Sequence, residues 1–270
     1  IADALGVAFE HITVISGDSA ATPYGSGIRA SRGAPVGGEL ALKAGRALRR
    51  NVLAAASTLL QVAPDDLTLD DGTILRRGGG QGVSLAELAE AVHFKPQLFQ
   101  HGAQPNLSVA LHFGHDWPTL VPTNGIQASY LEVDARTGMV RLLHHWAVDD
   151  FGTLINPLLA AEQVRGGIAQ GIGQALYEEL LYSEDGQLTN ATLADYLLPK
   201  ASDLPDITVG HVETPWPHSE LGAKGAGEAG TTGALGAILN AVNDALRPLG
   251  AKITEVPMTP ERLLRALGQI

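Results

Sequence analysis

The chain has 270 residues, of which 45% are hydrophobic and 17% charged, a balance that supports a sizeable core in one large or two moderate domains. Its formal charge of −11 argues against a nucleic-acid backbone as the main partner. No apolar stretch approaches the roughly 18 to 20 residues that a membrane-spanning helix needs, so we expect a soluble segment. We expect a cytoplasmic location and leave a periplasmic one open. The chain lacks cysteine, so it can supply no disulfide, thiolate nucleophile or Fe–S ligand.

The first part of the sequence predicts helices around a short hairpin. Ile1 to Gly6 resembles the tail of a helix already under way, so we interpret the chain as a fragment of a longer protein. Apolar residues recur at helical spacing from Leu40 to Leu60, which predicts one long amphipathic helix. The segment from Leu67 to Ile74 alternates around an Asp-Gly pair, the pattern of a β-hairpin.

A short helix and a loop-rich stretch complete this part. Ser84 and Glu87 have the spacing of a capping box, which predicts a helix through about Val92. From Phe94 to Thr123 the chain is rich in Gln, Pro, His and Gly. We therefore expect the division between two halves here, at 1–115 and 116–270.

The second half predicts a hairpin, helices and one more strand. Two alternating runs, Ile126–Asp134 and Met139–Asp149, are typical of an antiparallel hairpin. Asn156 and Pro157 mark the start of a helix that runs to about Leu181. The remaining predicted elements are a strand at Ile207–Glu213, a helix ending near Leu249 and a short helix beginning at Thr259. The predicted fold class is α+β, with antiparallel sheets covered by helices.

The loop from Gly222 to Gly230 places four glycines, one Lys and one Glu directly before a helix. Outward-facing backbone N–H groups and the positive end of the helix could hold an anion or an oxo group there. A carboxylate at Glu228 in such an apolar loop is expected to be poorly solvated, which suits it to proton transfer. Alternatively, Glu228 is a first-turn residue favoured by the helix dipole.

The helix after Pro157 is interrupted by glycines, each of which costs roughly 1 kcal/mol relative to Ala in a helix interior. Gly167, Gln170, Gly171 and Gln174 lie on one side of this helix, so something must approach its backbone closely. We favour another packed helix from the residues alone. The functional alternative is a polar, planar ligand between the Gln amides.

Two further patterns are weaker. The loop Tyr24–Gly38 is glycine-rich and places Ser31 near a helix start. His112 and His115 have no second pair for a metal site, and adjacent residues His144 and His145 point to opposite faces of a strand. We therefore predict no metal-ligating side chain and treat every histidine as structural.

Four segments of the chain occur together in an order and spacing that characterise one protein family. They are Val148–Pro157, Glu162–Gly171, Asp195–Pro199 and Gly222–Glu228. They resemble the molybdenum-cofactor-binding large subunit of the xanthine oxidase family, especially the aerobic-type carbon monoxide dehydrogenase branch. The resemblance covers nearly the whole chain and implies two halves of a molybdopterin-binding domain.

The resemblance also implies roles for individual residues. Glu228 matches the family's catalytic base, and Gln163 matches a glutamine that hydrogen-bonds the pterin. The segments that wrap the pterin dinucleotide contain Ser31, Gly167, Lys224 and Gly225. Ser31 lies in what resembles the family's Ser-Arg-Ser-Thr cofactor loop, although Gly33 and Ala34 occupy its last two positions.

The implied function is that of the C-terminal cofactor-binding portion of a molybdenum hydroxylase. Such an enzyme hydroxylates an aldehyde, an N-heterocycle or a similar small substrate with oxygen derived from water. The implied cofactor is molybdenum-molybdopterin in the cytosine dinucleotide form, and its Fe–S and FAD partners lie on separate subunits or domains. The missing N-terminal part of the subunit is a further implied partner, so the fragment by itself is expected to be inactive. The alternative is a non-catalytic module that binds a pterin cofactor.

Overall fold

The structure of the chain is a computed structural model that describes residues 1–25, 27–80, 82–99, 105–112 and 121–270. It divides into two compact units. The first unit consists of Ile1–Gly27 and Val36–Trp117, and the second consists of Ile28–Pro35 and Pro118–Ile270. That the short segment 28–35 belongs with the second unit was not predicted from the sequence. Among the described residues, no helix is both long enough and apolar enough to cross a membrane.

The first unit packs helices against a small sheet. Its elements are α1 (Ala2–Leu5), α2 (Glu39–Leu60), β1 (Leu67–Asp70), β2 (Thr73–Arg76), β3 (Val83–Ser84) and α3 (Leu85–Phe94). The strands form an antiparallel sheet in the order β1-β2-β3, and the predicted capping box of Ser84 and Glu87 opens α3. The core between helices and sheet includes Ala56, Leu67, Ile74 and Leu88, all buried.

The second unit contains a larger sheet and two long helices. Its elements are β4 (Asn124–Val133), β5 (Val140–Asp150), α4 (Pro157–Leu176), β6 (Asp206–Val212), α5 (Ala229–Leu246) and α6 (Pro260–Ala266). The predicted antiparallel hairpin of β4 and β5 and the α+β class are confirmed. The strand β6, however, pairs parallel to β5, so this sheet is mixed. The crossover through α4 returns the chain in the same direction, which a tight hairpin could not do.

The helix α4 ends at Leu176, before the predicted end near Leu181. Beyond it, the side chain of the buried Asn190 accepts a hydrogen bond from the Leu181 N–H and donates one to the Glu179 carbonyl. Asn190 therefore holds this segment as a loop, because it satisfies backbone groups that a helix would have paired.

The close crossing of α4 and α5 explains the glycines of α4. A Cβ on Gly167 would lie 2.8 Å from the Thr231 backbone nitrogen and 3.0 Å from the Gly230 Cα. A Cβ on Gly171 would lie 2.5 Å from the Ala234 Cβ. The helix α5 thus occupies the side of α4 on which the sequence predicted a close neighbour, as the packing interpretation expects. A contact between Gly167 and a cofactor stays a prediction.

Substituting Ala for Gly167 and for its neighbour Gly166 should change stability in opposite directions. Gly167→Ala should destabilise by about 1 to 3 kcal/mol, because the new methyl group overpacks the crossing against backbone atoms. Nothing lies within 4 Å of a Cβ on Gly166, so Gly166→Ala should stabilise by about 0.5 to 1 kcal/mol through helix propensity. Urea unfolding of both variants tests this, and equal effects of the two would contradict it.

Candidate functional site

Glu228 and Ser31 form a reciprocal pair of hydrogen bonds. The Ser31 hydroxyl donates to Glu228 Oε2 at 2.8 Å, and the Glu228 N–H donates to Ser31 Oγ at 3.0 Å. Glu228 occupies the N-cap position of α5, but its side chain makes no capping bond to that helix. The contact with Ser31 therefore favours a positioned carboxylate over the simple helix-start interpretation. The Glu228 residue is exposed in this chain, so the expectation of poor solvation is wrong here.

Two glycines allow Ser31 to approach the loop this closely. A Cβ on Gly225 would lie 2.7 Å from Ser31 Cβ and 2.9 Å from its carbonyl oxygen, and a Cβ on Gly227 would lie 3.1 Å from Ser31 Oγ. Ser31 itself has a left-handed backbone with φ of 55°. The surrounding contacts must hold this conformation, which a non-glycine residue rarely adopts. The predicted site residues Ser31, Gly225 and Glu228 thus lie together.

Gln163 contacts the same loop from α4. Its Nε2 donates to the Gly227 carbonyl at 2.9 Å, so the amide is fixed with its carbonyl oxygen able to act as an acceptor. The exposed side of the first turns of α4 therefore faces the loop that carries Glu228. The structure brings together Gln163, Ser31 and Glu228, three residues far apart in the sequence.

Lys224 forms a buried ion pair. Its Nζ lies 2.8 Å from Asp150 Oδ2, and the two side chains are only 8% and 13% exposed. Asp150 also accepts the N–H groups of Gly152 and Thr214. Burial raises the pKa of Asp150, but the bonds from Lys224, Gly152 and Thr214 outweigh it and hold that pKa below its usual range. Through this ion pair, the Lys224 ammonium anchors the glycine loop to the end of β5.

A partly buried polar chain supports the first turn of α5. Gln127 Nε2 donates to the carbonyls of Ala229 and Gly230 at 3.1 and 3.0 Å. His145 Nε2 lies 3.0 Å from Gln127 Oε1, and His145 Nδ1 lies 2.8 Å from Ser129 Oγ. These partners fit a neutral ring that donates from Nε2 and accepts at Nδ1. Burial and the neighbouring His144 lower the pKa of His145 to about 4.

The buried His145 should make the protein less stable in mild acid. An unfolded histidine takes up a proton below about pH 6.5, whereas folded His145 stays neutral until about pH 4, so stability is lost as the pH falls. Between pH 7 and pH 5 this loss should be about 2 kcal/mol. Chemical unfolding at both pH values should show it in the wild type and in His218→Gln, an exposed control. His145→Gln should abolish it, and an unchanged acid loss in that variant would contradict the assignment.

Two cavities meet at Ser31. We call the first the Gln163 cavity; it has a volume of about 330 Å³ and largely apolar walls, and its lining includes Ser31, Phe151, Leu154, Asn156, Gln163 and Gly227. We call the second the Glu228 cavity; it has a volume of about 360 Å³, and its lining includes Ser31, Thr123, Gln127, Asp149, Gly225 and Glu228. One cavity thus offers apolar surface with an amide, and the other offers carboxyl groups.

The histidines do not form a metal site in the part of the chain that the structure describes. His145 faces the core, whereas His144 binds Thr208 of β6 through Nε2 at 2.9 Å, so the two rings lie on opposite faces. His115 lies outside the described residues. No group of three or more potential ligands occurs among the described His, Asp and Glu residues.

Sequence reasoning missed the partners that build the site. The Ser31 contact with Glu228, the ion pair of Lys224 and Asp150, and the support from Gln127 join residues that are distant in sequence. One available signal was the pair Asp149 and Asp150 at the end of a strand. Alternation turns one of two adjacent carboxylates inward, so one of them needed a buried partner or a function.

Residues 1–205 match the family described as the molybdopterin cofactor-binding domain. The chain is 38% identical over 268 residues to the large subunit of nicotine 6-hydroxylase from Paenarthrobacter nicotinovorans, covering 98% of this chain and 32% of that protein. It is 31% identical over 270 residues to the carbon monoxide dehydrogenase large chain of Hydrogenophaga pseudoflava, covering 100% of this chain and 33% of the relative. The chain thus spans about a third of the length of these relatives.

The fold is also similar to a solved structure. The crystal structure of quinoline 2-oxidoreductase from Pseudomonas putida 86 superposes with a TM-score of 0.86 at 39% sequence identity, over 99% of this chain and 34% of that one. The agreement in fold and the family match over residues 1–205 support the same assignment. The chain therefore belongs to the molybdopterin cofactor-binding domain family.

Proposed function

We propose that the chain is the part of a molybdenum hydroxylase large subunit that holds the pterin cofactor and supplies the catalytic base. The single observation that carries this proposal is the Glu228 carboxylate, which Ser31 holds at 2.8 Å on the edge of a cavity. A carboxylate fixed by one hydrogen bond and open on its other side can accept a proton from a bound reactant.

The residues present fit a molybdopterin. The Gln163 cavity has apolar walls for a planar heterocycle and an amide that can bond its edge. Gln163, Ser31 and the backbone of the loop from Gly225 to Gly227 would hold the group. The Lys224 ammonium is bound to Asp150, so phosphate binding would have to use backbone N–H groups of this segment or residues elsewhere in the protein.

The cofactor, when bound, supplies oxidation of the substrate and transfer of an oxygen that comes from water. The contribution of this chain is different. Glu228 accepts the proton, Ser31 sets the direction of the accepting oxygen, and the Asp150 and Lys224 pair holds the loop in place. The polar chain from Ser129 to Gln127 fixes the first turn of α5, directly after the base.

The finer points of the proposal concern substrate, cofactor form and partners. The names of two relatives, nicotine 6-hydroxylase and quinoline 2-oxidoreductase, support an N-heterocyclic substrate over an aldehyde. We propose the cytosine dinucleotide form of the cofactor. We also propose that Fe–S and FAD units on separate subunits or domains accept the electrons, since this chain has no cysteine to hold a cluster.

The experiment is performed on the complete protein that contains this chain, purified with whatever subunits accompany it. Molybdenum, iron and flavin are measured, and quinoline and benzaldehyde are each incubated with the enzyme in ¹⁸O-labelled water. We expect all three cofactors and labelled hydroxylated quinoline. A protein that binds the pterin, lacks iron and flavin and turns over neither substrate would support the non-catalytic binding module instead.

A further inference from the structure

Asp149 is a buried carboxyl that the site described above does not use. It lies near the end of β5, is 3% exposed and pairs in register with Gly125 of β4. A Cβ on Gly125 would lie only 2.0 Å from Asp149 Oδ1. The carboxyl group therefore occupies space that any side chain at position 125 would fill.

The Asp149 carboxyl is incompletely satisfied. Among the described residues, no group forms a hydrogen bond to its buried Oδ2. A buried polar atom without a partner is costly, so such an atom in a native structure points to a ligand, a water molecule or a proton. Burial raises the pKa of Asp149, which favours the protonated form of this carboxyl.

Asp149 and Glu228 line the same cavity. The Glu228 cavity has a volume of about 360 Å³, which is roomy enough for water, and Thr123, Gln127 and Ser31 supply polar atoms to order it. Asp149 and Glu228 are the titratable residues among its described lining. Glu228 is exposed and Asp149 is buried, so the cavity connects two carboxyl groups that bind protons in different environments.

We propose that Asp149 is the proton relay of this site, which takes from Glu228, through water in the shared cavity, the proton that Glu228 has accepted. The proposal rests on the proposed function of Glu228. In the transfer, the O–H bond on Glu228 breaks and a new O–H bond forms on Asp149, while the intervening water gives up one proton and gains one. No electrons move. Glu228 returns to the carboxylate form, and Asp149 then gives its proton through the cavity water to the solvent, so that both groups are carboxylates again before the next turnover.

The groups around Asp149 come from three strands and from the loop before α5. The β4 strand presents Gly125 beside it, and β6 presents His211 in register. On β5 itself, His145 lies on the same face, and Asp150 is paired with Lys224. From the loop before α5, Glu228 lines the cavity. Of these groups, Glu228 is the one that shares the cavity with Asp149 and belongs to the proposed reaction.

The first test needs no activity. Infrared difference spectra of the complete protein, recorded between acid and neutral pH, should contain the carbonyl band of a protonated buried carboxyl. Asp149→Asn should remove this band, and Glu228→Gln should shift the pH at which the band appears, because it removes a carboxyl group that faces Asp149 across the shared cavity. Glu132→Gln, on the same sheet but exposed and paired with Arg141, should change neither.

The second test distinguishes a proton relay at Asp149 from a purely structural role of this residue. In Asp149→Asn, the first reduction of the enzyme by quinoline should proceed near the wild-type rate, because the first turnover does not yet need the relay. Steady-state turnover should fall about tenfold or more, because the proposed cofactor and substrate would cover Glu228 during turnover and leave the cavity water and Asp149 as its route to solvent. Asp149→Ser is the second variant, in case the amide disturbs folding, and it should show the same split.

Each outcome decides the proposal. If Asp149→Asn leaves the infrared band in place, or if Glu228→Gln leaves its titration unmoved, the relay is overturned. Equal slowing of the first and later turnovers would also overturn it, because a structural role predicts that result. If the wild type turns over no substrate, the proposed hydroxylase function fails, while the infrared comparison still decides whether Asp149 is a protonatable carboxyl that responds to Glu228.

Discussion

Replacing Glu228 with Gln in the complete enzyme should lower turnover by about 10² to 10⁴, the usual contribution of a general base. Gln keeps the size of the side chain and can still accept the hydrogen bond from Ser31, but it cannot accept a proton. The Ser31 contacts at 2.8 and 3.0 Å should therefore survive, and the loop should keep its shape. We expect molybdenum content and melting temperature near those of the wild type.

The matched control is Glu162→Gln, which removes an exposed carboxylate of α4 that pairs with Arg165. It should retain nearly full turnover. Steady-state rates at saturating quinoline, with molybdenum measured on the same samples, give the comparison. Retention of more than about a tenth of wild-type turnover by Glu228→Gln would be a loss far below the general-base effect, and Glu228 would then be a helix-start residue.

The Lys224→Met variant should lose about 3 to 5 kcal/mol of folding stability, because it leaves the Asp150 carboxylate buried without its countercharge. The pair lies at 2.8 Å with both side chains largely buried, which distinguishes it from the surface ion pairs of this chain. The anchoring of the glycine loop should weaken as well, so the site should be disturbed along with the fold. Urea unfolding at neutral pH measures the effect.

Three comparisons serve as controls for the Lys224→Met experiment. Arg141→Met breaks an exposed pair with Glu132 and should cost only about 0 to 1 kcal/mol. The double variant Lys224→Met with Asp150→Asn should recover part of the loss, since no unpaired charge remains. The pKa of Asp150 is lowered in the folded state, so its contribution is present above about pH 4 and is lost as the pH falls. A cost for Lys224→Met no larger than that of Arg141→Met would refute the buried-pair assignment.

Periodic patterns in the sequence predicted most of the fold. The long helix α2, the capping box of α3 and the β4–β5 hairpin each depend on residues close together in the chain, so local spacing is enough to identify them. The direction of β6 could not be predicted this way. It depends on which strand edge the chain reaches after α4, and that is a tertiary property.

The candidate site was predictable in its residue types but not in its contacts. The glycines of the loop from Gly222 to Gly230 indicated close approach, yet nothing local showed that the approaching group is Ser31. Lys224 was predicted as a cofactor contact from the resemblance alone, and its side chain is bound to Asp150. Pairing across long sequence separations is decided by packing, so no window of neighbouring residues contains that information.

The contact between Ser31 and Glu228 joins residues 197 positions apart, which has a consequence for the order of folding. Closing so long a loop is entropically costly, and the hydrogen bonds that close it are few. Helices and hairpins with local contacts should therefore form first, and the pairing of base and serine should come last. The same pairing should be among the first to open under mild denaturant. Synthesis of residues 116–270 alone would omit Ser31, and the glycine loop would then fold without the residue that fixes its base.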